Sequence, residues 1–230
     1  MKVLRSLKNK GIKFSIVTGR NVSFFDQFPL LVELTDYIIS SNGGSIYDVK
    51  KSRFIFTKCI NDNSLNKLIN LGIRNKYTFI INELEKKYKY GELKKIDSYE
   101  FDFKKQYNSE QIVFYVQDNY LNEFKDTIKD IEDIIINNVN CKKGRCSIDI
   151  TDINVCKGNS VLWLCNYLNI NSNDVIAFGD GENDVSMFKV VSRGIAVDNA
   201  CLELKKYADE ITDSCYNDGV FKYIENNILK

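Results

Sequence analysis

The sequence predicts an α/β fold in which a parallel-sheet core is interrupted by a separate α+β unit. At both ends of the chain, short apolar runs alternate with amphipathic segments, the order expected of a parallel sheet with helical crossovers. Between about residues 53 and 149, strand-like segments outnumber helix-like ones, and Lys, Tyr and Asn become frequent. We therefore expect core residues 1–52, an inserted α+β domain over residues 53–150, and core residues 151–230.

The first core segment is predicted to begin with a helix and a strand. Residues 3–7 carry a short apolar stripe closed by Gly11, and residues 12–17 become apolar toward their end. The motif Thr18-Gly19-Arg20 follows directly. Its hydroxyl, free backbone N–H groups and guanidinium can hold an oxyanion, although a helix cap beside a chance arginine explains the same residues.

A broken helix and a hairpin are predicted next. Residues 22–34 have the pattern of a helix interrupted near Pro29, and residues 37–39 that of a short buried strand. Asn42-Gly43-Gly44 favours positive φ, so we expect a tight turn that pairs residues 45–47 with this strand.

The inserted domain is predicted to mix strands with two helices. The strands are expected at residues 53–58, 78–81, 111–117, 133–139 and 147–150, and the helices near 63–71 and 120–131. Asp118 is the expected N-cap of the second helix. Lysines interleaved with tyrosines at residues 86–90 could bind nucleic acid, but the net charge of +1 favours a solvated β-hairpin.

Two segments of the second core part carry chemistry. Lys157 begins a predicted helix, where the macrodipole disfavours a cation, so a functional role competes with a solvated surface lysine. A buried strand over residues 174–178 ends at Asp180, Glu182, Asn183 and Asp184, at the sheet edge where α/β proteins bind ligands. These clustered carboxylates suit Mg²⁺, although an acidic helix start capped by Asp180 or Asn183 explains them equally well.

Composition excludes several classes of function. The chain has no histidine, which rules out Ser-His and Cys-His catalysis within it. Its seven cysteines include no Cys-x-x-Cys pair, so we expect reduced thiols and no zinc site. No apolar run reaches membrane-spanning length, and the charged first residues contain no signal-peptide core, so we expect a cytoplasmic protein without membrane or nucleic-acid partners.

Together, these motifs resemble the haloacid dehalogenase (HAD) superfamily of phosphohydrolases, in its Cof-type branch with a large α+β cap. The resemblance rests on Thr18-Gly19-Arg20, Ser41-Asn42-Gly43, Lys157-Gly158 and the acidic segment 179–184, in that order, and it covers nearly the whole chain. It implies a Rossmann-like core. It also implies magnesium-dependent hydrolysis of small phosphorylated metabolites, such as sugar phosphates or phosphorylated cofactor precursors, through an aspartyl-phosphate.

The resemblance also implies the roles of individual residues. Asp180 would bind Mg²⁺ directly, with Asp184 as a supporting carboxylate that orients metal-bound water. Lys157 would bind the phosphate and the charge of the nucleophile and, with Asp180, form the catalytic set. The other residues implied to bind phosphoryl oxygens are Thr18, Gly19 and Asn183.

The chain departs from the family pattern at the nucleophile. The family places this aspartate in an Asp-x-Asp-Gly-Thr motif on a first strand, and no such motif occurs here. We therefore expect an N-terminally shortened chain, by about 30 to 45 residues, that is inactive as written and leaves two strands with unpaired inner edges. The alternatives are a non-catalytic phosphate-ligand-binding protein derived from a phosphatase and, more weakly, a mutase.

Overall fold

The strands of the chain form three sheets over residues 1–92 and 98–230, which the computed structural model describes. The helices are α1 (Lys2–Asn9), α2 (Pro29–Glu33), α3 (Asp62–Arg74), α4 (Leu121–Ile128), α5 (Lys157–Leu168), α6 (Val185–Phe188), α7 (Leu202–Lys205) and α8 (Gly219–Asn227). The strands are β1 (Ser15–Val17), β2 (Tyr37–Ser40), β3 (Ser45–Asp48), β4 (Arg53–Thr57), β5 (Thr78–Glu83), β6 (Lys86–Tyr90), β7 (Tyr99–Glu100), β8 (Gln111–Gln117), β9 (Ile134–Lys142), β10 (Arg145–Asp152), β11 (Ile176–Gly179), β12 (Arg193–Val197) and β13 (Glu210–Thr212). Within these described ranges, no helix combines the length and the apolar character needed to cross a lipid bilayer.

The predicted α/β core is confirmed. Strands β1 and β2 pair in parallel, and β11, β12 and β13 form a wholly parallel sheet. One apolar cluster contains side chains of both sheets and of helix α5, among them Ile39, Leu164 and Ala196, so the two sheets share a core. Strands β1 and β11 each lie at the end of their sheet, and each has one edge that no described strand pairs with.

The predicted break in the helix over residues 22–34 is also confirmed. A 3-10 helix over Val22–Gln27 stops at Phe28, and α2 begins at Pro29. Proline fits there because the first position of a helix needs no N–H donor. Gly11, after the end of α1, has φ +72°, as its predicted place beyond a helix end requires.

Strand β4 belongs to the first core sheet, whereas the sequence assigned residues 53–58 to the inserted domain. It pairs antiparallel with β3 through a short turn in which the Asp48 carboxylate accepts a hydrogen bond from the Lys51 N–H at 2.9 Å. Local hairpin pairing therefore extends the sheet past the change in composition at residue 53. The division into residues 1–52, 53–150 and 151–230 stays a prediction.

The inserted unit is a six-stranded sheet, in the order β7-β6-β5-β8-β10-β9, covered on one face by helices. Strand residues such as Phe79, Phe114 and Ile148 alternate into that face and pack against Leu68 of α3 and Phe124 of α4. The predicted Asp118 cap is wrong. A 3-10 turn over Asp118–Tyr120 precedes α4, so Asp118 lies inside that turn rather than at the helix start.

One pair of cysteines is oxidised, contrary to the expectation of reduced thiols. Cys141 and Cys146 form a disulfide across the β9–β10 hairpin. Their backbone positions lie directly opposite in the strand register. Lys143 and Gly144, both with positive φ, make the tight turn between the strands. The hairpin therefore sets this proximity, which the cysteine spacing alone did not predict.

Candidate active site

Three loops that follow core strands carry most of the predicted site residues. The Thr18-Arg20 loop follows β1, the Ser41-Gly43 loop follows β2, and residues 180–184 follow β11. Because β1 and β2 are parallel, their carboxyl ends lie at the same sheet edge. The first two loops are joined by backbone hydrogen bonds, from the Asn42 N–H to the Thr18 carbonyl at 3.0 Å and from the Ser41 N–H to the Arg20 carbonyl at 2.9 Å.

Lys157 forms a buried ion pair with Asp184. Its Nζ lies 2.5 Å from Asp184 Oδ1, and the two residues are only 6% and 3% exposed. Lys157 occupies the first position of α5, as the sequence predicted, but it is not the solvated surface lysine of the alternative interpretation. Because a buried charge is costly unless it is paired, the carboxylate accounts for a cation at this helix end.

The second oxygen of Asp184 holds the acidic turn together. Asp184 Oδ2 accepts hydrogen bonds from the backbone N–H groups of Asp180 and Gly181, each at 3.0 Å. Asp184 therefore caps this turn, rather than Asp180 or Asn183 as the structural alternative proposed. The same contacts place the Lys157 ammonium and the start of the acidic turn on opposite oxygens of one carboxylate.

Asp180 has a different environment from Asp184. Its residue is exposed, and its carboxylate makes no hydrogen bond or ion pair with any part of the chain that the structure describes. A free carboxylate at a strand end fits a hard cation such as Mg²⁺. Across residues 1–92 and 98–230, however, no group of three acidic, cysteine or histidine side chains could by itself hold a metal ion. Asp180 thus offers one direct oxygen ligand.

Asn42 joins the acidic loop to the inserted six-stranded unit, which forms the cap over the core. Its Oδ1 accepts a hydrogen bond from Asn183 Nδ2 at 2.9 Å, and its Nδ2 donates to Asp149 Oδ2 at 3.1 Å. A Cβ added at Gly19 would lie 2.9 Å from Asn42 Nδ2, so glycine is needed for this close approach. Thr18 Oγ1 accepts a hydrogen bond from the Arg20 N–H at 3.1 Å, which leaves its proton available to an anion.

Asp149 is a site residue that the sequence did not indicate. It is on β10 of the cap, and burial raises the pKa of its carboxyl above the ordinary value. Hydrogen bonds from Asn42 and Asn138, together with the positive charges of Lys157 and Arg20, oppose that rise in pKa. The sequence could not reveal this role because Asp149 alternates within an ordinary strand pattern.

Close packing of α5 against α6 fixes the position of Lys157. A Cβ on Gly158 would lie 2.1 Å from the Ser186 carbonyl oxygen, so only glycine fits between the helices. The Gly158 N–H donates to Ser186 Oγ at 3.1 Å, and Ser160 Oγ donates to the Gly43 carbonyl at 2.7 Å. The lysine helix is therefore tied both to the acidic segment and to the Ser41-Gly43 loop.

A cleft of about 750 Å³ opens between the core loops and the cap. Thr18, Gly19 and Asn183 line it, whereas Lys157, Asp180 and Asp184 do not contribute to its wall. The predicted site residues therefore form two adjoining groups, one on the wall of the cleft and one around the Lys157–Asp184 ion pair. Asn183, which follows Asp180 in the acidic turn and bonds to Asn42, connects them.

Replacing Asn42 with alanine is expected to lower the free energy of unfolding by about 1–3 kcal/mol, because the Asp149 and Asn183 side chains lose a buried partner. The check is urea denaturation followed by circular dichroism. Asn169→Ala is the matched control, since Asn169 also has positive φ but is exposed at the end of α5. Equal losses in the two variants would mean that only backbone strain is measured.

Comparisons with known proteins agree with this architecture. A family profile described as haloacid dehalogenase-like hydrolase matches residues 1–224. A phosphoglycolate phosphatase of Methanobrevibacter smithii is 27% identical over 229 residues, which cover 100% of this chain and 89% of the relative. A 5-amino-6-(5-phospho-D-ribitylamino)uracil phosphatase of Bacillus subtilis is 24% identical over 228 residues, covering 99% of this chain and 87% of the relative.

The fold has a counterpart among solved structures. A protein described as a HAD subclass IIB sugar phosphatase superposes with a TM-score of 0.82 at 18% identity, covering 100% of this chain and 90% of that chain. This likeness extends over both the core and the cap, and the family profile matches almost the whole chain. The chain therefore belongs to the haloacid dehalogenase-like hydrolase family, and its core and α+β cap have the fold of that solved structure.

Proposed function

We propose that the protein is a magnesium-dependent hydrolase of small phosphomonoesters that works through an aspartyl-phosphate. The observation that carries this proposal is the buried Lys157–Asp184 pair beside the free Asp180 carboxylate, next to a cleft lined by Thr18, Gly19 and Asn183. The activities named for two curated relatives, on phosphoglycolate and on a ribityl phosphate, support phosphomonoesters as the substrate class.

The phosphoryl group would be bound where the core loops meet the cleft. The free hydroxyl proton of Thr18, the backbone N–H of Gly19 and the amide of Asn183 are donors suited to phosphoryl oxygens. The ammonium of Lys157 adds a positive charge that Asp184 holds in one position. Fixed donors of this kind stabilise charge that develops in phosphoryl transfer without having to reorganise.

Asp180 would bind Mg²⁺ directly, and Asp184 would support the site without binding the metal itself. Both oxygens of Asp184 are already engaged, by Lys157 and by two backbone N–H groups, so a supporting role suits it better than direct ligation. When bound, Mg²⁺ neutralises negative charge on the phosphoryl group during transfer.

The nucleophilic aspartate is proposed to come from residues outside these 230, because the chain contains no Asp-x-Asp-Gly-Thr motif. The open edges of β1 and β11 support this, since each could pair with a further parallel strand whose end would reach the site. The alternative is a non-catalytic phosphate-binding protein that uses the same cleft.

Binding of inorganic phosphate to the 230-residue chain tests the site without requiring turnover. In isothermal titration calorimetry, Mg²⁺ is expected to lower the dissociation constant for phosphate. Asp180→Asn is expected to reduce this Mg²⁺-dependent gain in affinity at least tenfold. Glu182→Gln, an exposed carboxylate in the same turn, is the control and should retain the gain. Absence of phosphate binding, or an equal loss in both variants, would reject the proposal.

Turnover separates the hydrolase from the binding protein. The chain should be extended through its own upstream reading frame and assayed on p-nitrophenyl phosphate with Mg²⁺. Hydrolysis that Asp180→Asn abolishes would support the enzyme. Phosphate binding without hydrolysis in the extended chain would support the binding protein instead.

A further inference from the structure

Strand β9 is a long and unprotected edge of the cap sheet. It lies at one end of the strand order and pairs with β10 alone among the described strands. Its nine residues contain no proline, and Lys142 at its end is the first charged one. The opposite edge strand, β7, is only two residues long. Proteins normally shorten, charge or cover an edge strand, because its free backbone N–H and C=O groups can pair with another strand. The length and neutrality of β9 therefore indicate that another strand covers it.

The one irregularity in β9 leaves this edge open. The register between β9 and β10 shifts at a bulge, where Asn137 is the extra residue. Asn137 Nδ2 donates to Thr151 Oγ1 at 2.5 Å and to the Val155 carbonyl at 3.2 Å. Thr151 is on β10 and Val155 follows that strand. The Asn137 side chain is therefore held toward β10 and does not cover the free edge.

A groove of about 570 Å³ runs beside the edge of β9. Six consecutive residues of the strand, 134–139, line it. Because successive side chains of a strand point to opposite faces, lining by consecutive residues places the groove along the edge rather than on one face. Ile128 and Ile131, at the end of α4, form an apolar part of the wall, and Glu182 of the acidic turn also contributes. A strand added here would pair with β9 and pack against isoleucines.

The two ends of β9 carry opposite charge. Three exposed basic residues lie at its end, namely Lys142, Lys143 and Arg145. Near its start, acidic residues outnumber the two lysines of the groove wall, Lys125 and Lys129. These acidic residues are Asp126, Asp130, Asp133 and Glu182. In an antiparallel pair of identical strands, the start of each strand lies against the end of the other. Two copies of β9 would therefore bring a basic end against an acidic end twice.

This self-complementarity favours a second copy over a foreign strand. A foreign strand would have to carry the same order of charges, whereas a second β9 carries it already. A twofold axis near Asn138, the middle residue of β9, relates the two copies. Such a contact uses the same surface on both chains, so association stops at two and leaves no free β9 edge.

We propose that two copies of this chain form a twofold-symmetric dimer by antiparallel pairing of their β9 strands, which joins the two cap sheets into one. The inference is independent of the proposed function, because it rests on the edge of the cap and not on the phosphate site.

Sedimentation velocity of the 230-residue chain over a range of concentrations tests the inference, and the wild-type chain is expected to dimerise. Lys142→Glu with Lys143→Glu makes both ends of β9 acidic, and Asp126→Lys with Asp130→Lys makes both ends basic. Each double variant alone is expected to associate at least about tenfold more weakly, because like charges then face each other. Mixing the two double variants in equal amounts should restore dimers, because their ends are again complementary.

The control variant reverses two charges elsewhere. Lys2→Glu with Lys67→Glu changes the net charge by the same amount as the Lys142 and Lys143 changes, at exposed positions on α1 and α3, so its dimer should persist. The exposed Cys201 and Cys215 are replaced by serine in every chain, so that no disulfide between chains imitates association. Circular dichroism of each variant establishes that it is folded.

Hydrogen exchange identifies the strand that pairs. The β9 amides that point away from β10 are expected to exchange at least about tenfold more slowly in the wild-type dimer than in the chain with both Lys142→Glu and Lys143→Glu. The inference is wrong if the wild-type chain stays monomeric or if the double variants dimerise as well as it does. It is equally wrong if their mixture stays monomeric or if a wild-type dimer shows no added protection in β9.

Discussion

Replacing Lys157 with methionine is expected to lower the free energy of unfolding by about 3–5 kcal/mol. The variant leaves the Asp184 carboxylate, in a residue only 3% exposed, without its ion-pair partner. Methionine restores most of the apolar volume of the lysine stem, so the loss reports the missing charge rather than a cavity. Urea denaturation monitored by circular dichroism measures the change.

The exposed Lys206–Glu203 pair provides the matched control. Its nitrogen and oxygen are also 2.5 Å apart, but the side chains are 68% and 42% exposed. Lys206→Met is therefore expected to leave the free energy of unfolding nearly unchanged, because water screens exposed pairs. A Lys157→Met loss as small as this would mean that the buried pair adds nothing beyond a surface contact.

A second change identifies the cause of the Lys157 effect. Asp184→Asn, added to Lys157→Met, removes the uncompensated charge but keeps a side-chain oxygen for the N–H groups of Asp180 and Gly181. We expect the double variant to recover about 1 kcal/mol or more over Lys157→Met alone. Further destabilisation in the double variant would show that Asp184 matters mainly as a cap.

The pH dependence of stability is expected to differ between the wild-type chain and Glu110→Gln. Glu110 is fully buried where the cap meets the core, and burial raises the pKa of its carboxyl from 4.5 to about 7. Its oxygens accept hydrogen bonds from the Leu84 N–H at 2.9 Å and from Ser41 Oγ at 3.3 Å. The Leu84 carbonyl in turn accepts a hydrogen bond from the Asn21 amide, so this contact ties the cap to two core loops.

The sign of the effect follows from the direction of the pKa shift. Because the folded pKa of Glu110 lies above its unfolded value, the folded state binds the proton more tightly, and this stabilisation is complete below pH 4.5. It is lost as the pH rises toward about 7. Relative to Glu110→Gln, which stays neutral, the wild-type chain is expected to lose about 3 kcal/mol between pH 4.5 and pH 8.

Urea denaturation of both chains across this pH range measures the difference. Glutamine can still accept the Leu84 N–H and donate to Ser41 Oγ, so the variant should fold. The exposed Glu132→Gln change is the control, and its stability should follow that of the wild-type chain at every pH. Parallel curves for the wild-type chain and Glu110→Gln would show that Glu110 does not titrate in this range.

Most elements of the fold could be located from the sequence, because their signals are local. The strand at Gln111–Gln117 matches the predicted bounds, and the helix that begins at Lys157 starts where it was expected. Alternation, helical spacing and glycine position operate within a few residues of each other. Two outcomes depended instead on which strands pair, namely the place of β4 in the first core sheet and the Cys141–Cys146 disulfide, and no local signal indicated either of them.

The sequence by itself determined the α/β class and the order of the motifs that identify the family. Only the tertiary structure decided that Asn42 bridges Asn183 and Asp149, that Glu110 meets Leu84, and that Gln111 has an unpaired amide. The first of these contacts joins residues 141 positions apart. Burial and pairing of polar groups depend on which surfaces the folded core and cap bring together, and no local pattern along the chain carries that information.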